Sequence, residues 1–184
     1  ELEKLQSNVA PFPFVTAKHI IEQSLKKPLK KLFAEFEPRE IAAASLGQVY
    51  KAKLPSGETV AVKVQRPNAK IIITTDTSVL LLAARLAVWL WPALRPYNPE
   101  SAVLEFKRWS LNELNYTLEA ANADIFNQHF KDDAHVYSPK VYWDYTSKQV
   151  LTLEFIAGEP LKDIIQTKGE PRRKKLIVKY GADA

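Results

Sequence analysis

Lys63 is the residue around which this sequence can arrange chemistry. It lies in Val60-Ala61-Val62-Lys63-Val64, where a two-residue strand period puts the three valines on one face and Ala61 and Lys63 on the other. An ammonium on that second face can reach phosphate oxygens, and Ala61 beside it would floor a slot for a flat base. Upstream stands the small-residue run Ala42-Ala43-Ala44-Ser45-Leu46-Gly47-Gln48. A loop without bulky side chains lets backbone amides approach a phosphate closely, and three alanines make it stiffer than a glycine loop. The order predicted is strand, tight loop, second strand from Gln48 to Leu54, a Pro55-Ser56-Gly57 turn, and a third strand carrying the lysine. Such a hairpin would bind a nucleotide.

A lysine of this kind needs a carboxylate to aim it. The predicted helix opened by Ser101 as N-cap and running to about Phe130 can supply one. Leu111, Leu114, Leu118 and Ala121 are expected on its core face, with Asn115, Glu119 and Asn122 in an adjoining polar stripe. The other expected elements are an amphipathic helix from Val15 to Leu25 with Ala17, Ile20, Ile21 and Leu25 inward, and a short turn from Leu29 to Phe33. Beyond them come a helix from Asp76 to Leu90, strands at 139–145 and 149–155, and a basic helical tail from Leu161.

Composition narrows the function classes. The 184 residues hold no cysteine, which removes disulfides, thiolate metal sites and a cysteine nucleophile. His19, His129 and His135 lack metal-ligand spacing, so no metal site is expected in the chain. The net charge of +5 sits largely in Lys26-Lys27, Lys30-Lys31 and Arg172-Arg173-Lys174-Lys175. These runs read as solvated helix faces with no aromatic residues among them, which argues against a nucleic-acid partner. Val79 to Leu94 is mostly apolar but holds Arg85 and ends near Pro92, and it is shorter than a membrane span requires. Trp89 and Trp91 beside Arg95 would suit peripheral contact with a membrane. The sequence contains no methionine, which suggests a piece of a longer protein.

Ala42-Ala43-Ala44-Ser45 with Gly47-Gln48-Val49, then Val60-Ala61-Val62-Lys63-Val64-Gln65-Arg66-Pro67, resembles the signature of the UbiB family, the aarF-domain atypical kinases linked to isoprenoid quinone biosynthesis. Glu113-Leu114-Asn115-Tyr116-Thr117-Leu118-Glu119-Ala120-Ala121-Asn122 is similar to that family's E-x-D helix, with Asn115 in place of the aspartate. Pro139 to Trp143 and Val150 to Ile156 resemble its strands leading to the hinge, and Glu1 to Gln6 with Val9 to Phe14 resembles its lead-in. The resemblance implies an α+β fold, the small lobe of a protein kinase with an antiparallel sheet and family-specific helices, without the large lobe. The implied divisions are a helical lead-in at 1–33, the hairpin and lysine strand at 34–66, helices at 76–130, strands to the hinge at 139–156, and the start of the large lobe at 157–184.

The resemblance also implies roles. Ala42, Ala43, Ala44, Ser45 and Gly47 would cover the phosphates of ATP, Lys63 would contact them, and Glu119 would orient Lys63, with Glu113 as the first residue of E-x-D. Leu153 would be the gatekeeper beside the adenine, and backbone groups of Glu154 and Ile156 would offer an acceptor and a donor to its edge. No catalytic-loop or Asp-Phe-Gly string occurs here, so magnesium and turnover are expected only of a full-length parent. That parent would support quinone or prenyl-lipid metabolism on the cytoplasmic side of a membrane or in a plastid or mitochondrion. The alternative is a non-catalytic lipid- or protein-binding module.

Overall fold

Alternation along residues 59–65 sorts the side chains as a two-residue period requires. The computed structural model describes residues 10–133, 135–159, 161, 164 and 171–183. Strands β1 (Glu35–Ala43), β2 (Gly47–Lys53), β3 (Thr59–Gln65) and β4 (Val150–Glu154) form an antiparallel sheet in the order β1-β2-β3-β4. Val60, Val62 and Val64 are fully buried on one face with Tyr50 and Val150. Helix α1 (Phe14–Leu25) covers that face through Ala17 and Ile21, and the single turn α2 (Leu29–Leu32) adds Leu29 and Leu32. Burying each of these valines contributes about 1.5–2 kcal/mol, so this face holds the sheet together.

A buried glutamine joins the lead-in to the sheet. With its amide oriented to satisfy its neighbours, Gln48 accepts from Phe12 N at 2.7 Å and donates to Phe12 O at 3.2 Å and Tyr50 Oη at 2.9 Å. On the opposite face Ala61 pairs with Leu153 and Lys63 lies between Val49 and Leu151. Helix α5 (Tyr116–His129) covers part of that face, packing Tyr116 and Ala120 on Leu151 and Val141.

Several boundaries differ from the sequence reading. Ala42 and Ala43 belong to β1, paired with Val49 and Gln48, and the loop proper is Ala44-Ser45-Leu46, closed by Ala44 N donating to Gly47 O at 2.8 Å. The expected strand at 139–145 reduces to one bridge, Val141 to Leu153, followed by a 3-10 turn at Trp143–Tyr145. Pro139 can give no N–H to a ladder, which limits pairing there.

The expected helix from Ser101 to Phe130 is two helices, α4 (Pro99–Asn112) and α5, separated at residues 113–115. Asn98 caps the first, its side chain accepting from Ser101 N, and Asn115 caps the second by accepting from Thr117 N at 3.3 Å and Thr117 Oγ1 at 2.7 Å. The break rotates the core face, so Tyr116 and Ala120 turn inward while Leu118 is 45% exposed.

Helix α3 runs Ala69–Leu90, starting earlier than expected. The Ile71 to Thr75 run reads as poor helix former, yet Thr74, Thr77 and Ser78 hydroxyls donate to the carbonyls of Lys70, Ile73 and Thr74. At 22 residues it is long and apolar enough to cross a membrane, correcting the expectation that this stretch is too short. It forms a hairpin with α4 through a 3-10 turn at Pro92–Tyr97, pinned by Arg85 Nε donating to Glu100 Oε2 at 2.8 Å. The opposite side of α3 is bare, with Val79, Leu82 and Trp89 exposed by 63%, 69% and 75%. Helix α6 (Pro171–Asp183) carries the basic tail. Lead-in residues 1–9 and the tail residues 165–170 lie outside the described residues.

Candidate active site

Lys63 leaves β3 on the face that α5 partly covers, and its ammonium meets both carboxylate oxygens of Glu119, at 2.9 Å to Oε1 and 2.7 Å to Oε2. The two side chains are 29% and 46% exposed. A pair this wet contributes less than about 1 kcal/mol to stability, so its value lies in where it holds the charge. An ammonium has three donors. Two are engaged by Glu119, which leaves one donor without a partner among the described residues.

The neighbours of Lys63 are set by the start of α5. Gln65 Nε2 donates to Leu114 O at 2.6 Å, and Tyr116 N donates to Lys148 O at 3.1 Å, so the helix N-terminus is clamped to the ends of β3 and β4. Asn115 ends the irregular segment with its cap. The residue that replaces aspartate in E-x-D is therefore a helix cap here, a task Asn and Asp perform about equally. Glu113 sits at the end of α4, and a cleft of about 430 Å³ is lined by Lys63, Glu113 and Glu119 together with Trp109, Asn112, Asn115, Leu118 and Asn122. The three residues expected to carry the charge chemistry thus converge on one cavity.

The remaining expected residues sit around the sheet rather than in that cleft. Ala42, Ala43, Ala44, Ser45 and Gly47 form the closed end of the β1–β2 hairpin, Gly47 lying opposite Gln65, two positions along β3 from Lys63. Ala61 and Leu153 are register partners and stand side by side on the lysine face. Glu154 N donates to Lys140 O at 2.8 Å, so that amide is occupied, and Ile156 is 43% exposed just past the strand.

Two residues that sequence reasoning left unused hold the loop. Arg66 N donates to Leu46 O at 2.8 Å, and Arg66 Nη2 donates to Ala10 O at 3.1 Å and Ala44 O at 3.4 Å. Its Nε is buried without a partner among the described residues. Tyr116 is buried beneath the lysine, its ring centroid 4.7 Å from Lys63 Nζ and its hydroxyl donating to Leu46 O at 3.4 Å. Burial, then the charges of Glu119 and Glu113, push its phenol well above the usual range. The only signal for either in the sequence is its place within a motif, since its partners are far away along the chain.

A lysine strand paired to a helix carboxylate and bordered by a small-residue hairpin agrees with what comparison with known proteins finds. The ABC1 atypical kinase-like domain matches residues 4–184. The chain belongs to the ABC1 atypical kinase-like family. It is 40% identical over 163 residues to a probable protein kinase UbiB of Marinobacter nauticus, covering 89% of this chain and 30% of that protein. It is 36% identical over 183 residues to the probable protein kinase UbiB of Pseudomonas aeruginosa, covering 100% of this chain and 34% of that protein. Among solved structures, Rv3197 of Mycobacterium tuberculosis in complex with erythromycin matches with a TM-score of 0.74 and 27% identity, over 89% of this chain and 40% of that one. The fold is the small lobe of an ABC1 kinase-like domain, and the chain spans about a third of the length of these curated relatives.

Proposed function

We propose that this chain is the nucleotide-binding lobe of an ABC1-family atypical kinase or ATPase. Lys63 contacts the phosphates of ATP, Glu119 aims it, Ala42 to Ser45 with Gly47 lie over the phosphates, and Ala61 with Leu153, Glu154 and Ile156 receives the adenine. The observation that carries this reading is the two-oxygen contact between Lys63 and Glu119, which fixes a cation beside a cavity while leaving a donor unused. The residues fit the ligand in kind: small side chains at the loop, Ala61 beside Leu153 on the lysine face, and an Arg66 Nε buried without a partner among the described residues. Magnesium, which supplies charge neutralisation between phosphates, is assigned to residues of the parent beyond this stretch.

The parent's role in this reading is ATP-dependent support of quinone or prenyl-lipid metabolism at a membrane. The bare apolar side of α3, ending in Trp89 and followed by Trp91 and Arg95, favours membrane contact, since such a rim suits the interface between headgroups and acyl chains. The same face favours the second reading, a non-catalytic lipid-binding module. Thermal unfolding with and without ATP separates the two. A ligand bound only by the folded state stabilises it by about 2.7 kcal/mol at a hundredfold excess over Kd, so the first reading expects a saturable rise in Tm. An unchanged Tm up to millimolar ATP leaves only the module.

A further inference from the structure

Tyr116 touches the small-residue loop and the lysine at once. Its ring lies under Lys63 Nζ at 4.7 Å, and its hydroxyl donates to Leu46 O at 3.4 Å. The loop backbone passes so close to that hydroxyl that a Cβ on Gly47 would stand 2.5 Å from Tyr116 Oη. The residue is 1% exposed and opens α5 one turn before Glu119. Residues three apart on a helix share a face, so the ring and the Glu119 carboxylate meet the ammonium from the same side.

We infer that Tyr116 is a positioning residue that couples the phosphate-side loop to the lysine, so that a shift of α5 moves both together. This inference rests on the nucleotide reading for its purpose, though not for its geometry. The ring attracts the cation through its quadrupole without neutralising it, and so keeps Lys63 near the ring when Glu119 is lost, although the carboxylate that aims the ammonium is then gone. The hydroxyl keeps the closed end of the β1–β2 hairpin down against α5. A purely structural tyrosine would fill the space under Leu151 and transmit nothing to Lys63 or to the loop.

Two readouts on the ligand-free chain test this. In NMR spectra the Lys63 side-chain methylene protons are shifted upfield by the Tyr116 ring current. The shift is retained in Tyr116→Phe and in Glu119→Gln, and lost in Tyr116→Leu. Amide hydrogen exchange at residues 44–48 rises about fivefold in Tyr116→Phe, as expected for one lost hydrogen bond, with exchange in the middle of β3 unchanged. Because Tyr116→Phe keeps the ring and nearly all the volume, folding is preserved, and Tyr116→Leu is interpreted only where its β3 exchange matches the parent chain. Absence of the ring-current shift in the unmodified chain, its persistence in Tyr116→Leu, or unchanged loop exchange in Tyr116→Phe overturns the coupling. ATP titration of the same proteins tests the other reading separately. An unmodified chain that ignores ATP yet shows both spectroscopic effects removes the nucleotide and leaves the coupling standing.

Discussion

Gly47→Ala places a methyl group at the closed end of the β1–β2 hairpin, against β3 and α5. The added Cβ would lie 2.6 Å from Val64 O and 2.5 Å from Tyr116 Oη. Real Cβ contacts are essentially never that short, and neither neighbour can yield cheaply. Val64 is in the β2–β3 ladder opposite Gln48, so its carbonyl moves only if the two strands part, and Tyr116 is buried and clamped through its own amide. Gly47 does not have positive φ, so backbone strain contributes nothing and the whole effect is steric. Overpacking of this kind costs about 1–3 kcal/mol and occasionally more. The smaller unfolded-state entropy of alanine returns about 0.4–1 kcal/mol. The expected net loss is about 1.3 kcal/mol, read by urea unfolding as a midpoint lowered by about 0.7 M for an m value near 2 kcal/mol/M. Gly158→Ala serves as control, because its Cβ would meet only Ile156 Cγ2 at 3.6 Å, an ordinary contact. A Gly47→Ala midpoint within 0.2 M of the parent chain, or equal to that of the control, would refute the close packing of loop, β3 and α5.

Asn115→Ala removes the cap of α5 and is expected to cost about 1 kcal/mol, while Asn115→Asp is nearly neutral; urea midpoints of the two variants decide whether this position acts as a cap. Stability is expected to fall at alkaline pH. Burial, then Glu40, pushes Tyr50 up to about 12, so the folded chain keeps a proton that the unfolded chain releases near pH 10. That contribution is intact below pH 10 and is lost as pH rises towards 12, and Tyr116 acts in the same sense. Thermal melts from pH 8 to 11.5 should show the decline, with a shallower slope in Tyr50→Phe. The chain should float with anionic liposomes through the bare side of α3 and lose most of that recovery when Trp89 and Trp91 become serine; equal recovery of both proteins would exclude this face as the contact.

What the sequence made legible follows from which physical signals are local. The alternation through β3 is a period-2 pattern that any half-buried strand must show, so the separation of Val60, Val62 and Val64 from Ala61 and Lys63 could be read directly. The partnership of Lys63 with Glu119 spans 56 residues and was accessible through resemblance to a family, since no local rule pairs residues at that distance. The break at Asn115 was hidden because Leu111, Leu114 and Leu118 keep helical spacing straight across it. Only the cap geometry reveals that one helix ends and another begins there. The early start of α3 was masked by five successive β-branched residues, Ile71 to Thr75, which lean towards strand; within the helix the Thr74 hydroxyl turns back to donate to Lys70 O. Ala42 and Ala43 looked like loop because they are small, yet small residues also fit the last pairs of a hairpin. Gln48, Gln65, Arg66 and Tyr116 were the hardest to foresee. Each is a polar or amphipathic side chain whose burial depends on distant backbone groups, and a sequence lists such groups without saying which of them will meet.

The central claim is that Lys63 and Glu119 act as one unit to hold nucleotide phosphate, and a double-mutant cycle measured by isothermal titration of ATP tests it most directly. Lys63→Ala is expected to weaken binding at least tenfold, because it removes the cation and leaves the Glu119 carboxylate facing the phosphates. Glu119→Gln, which leaves the ammonium charged but poorly aimed, should cost less, and the double variant should lose clearly less than the sum of the two. Lys63→Arg should recover only part of the affinity, since a planar guanidinium does not replace a compact ammonium at a site built around one. Sub-additive losses of this pattern are the predicted result. Strictly additive losses, or equal affinity of the parent chain and Lys63→Ala, would contradict the account.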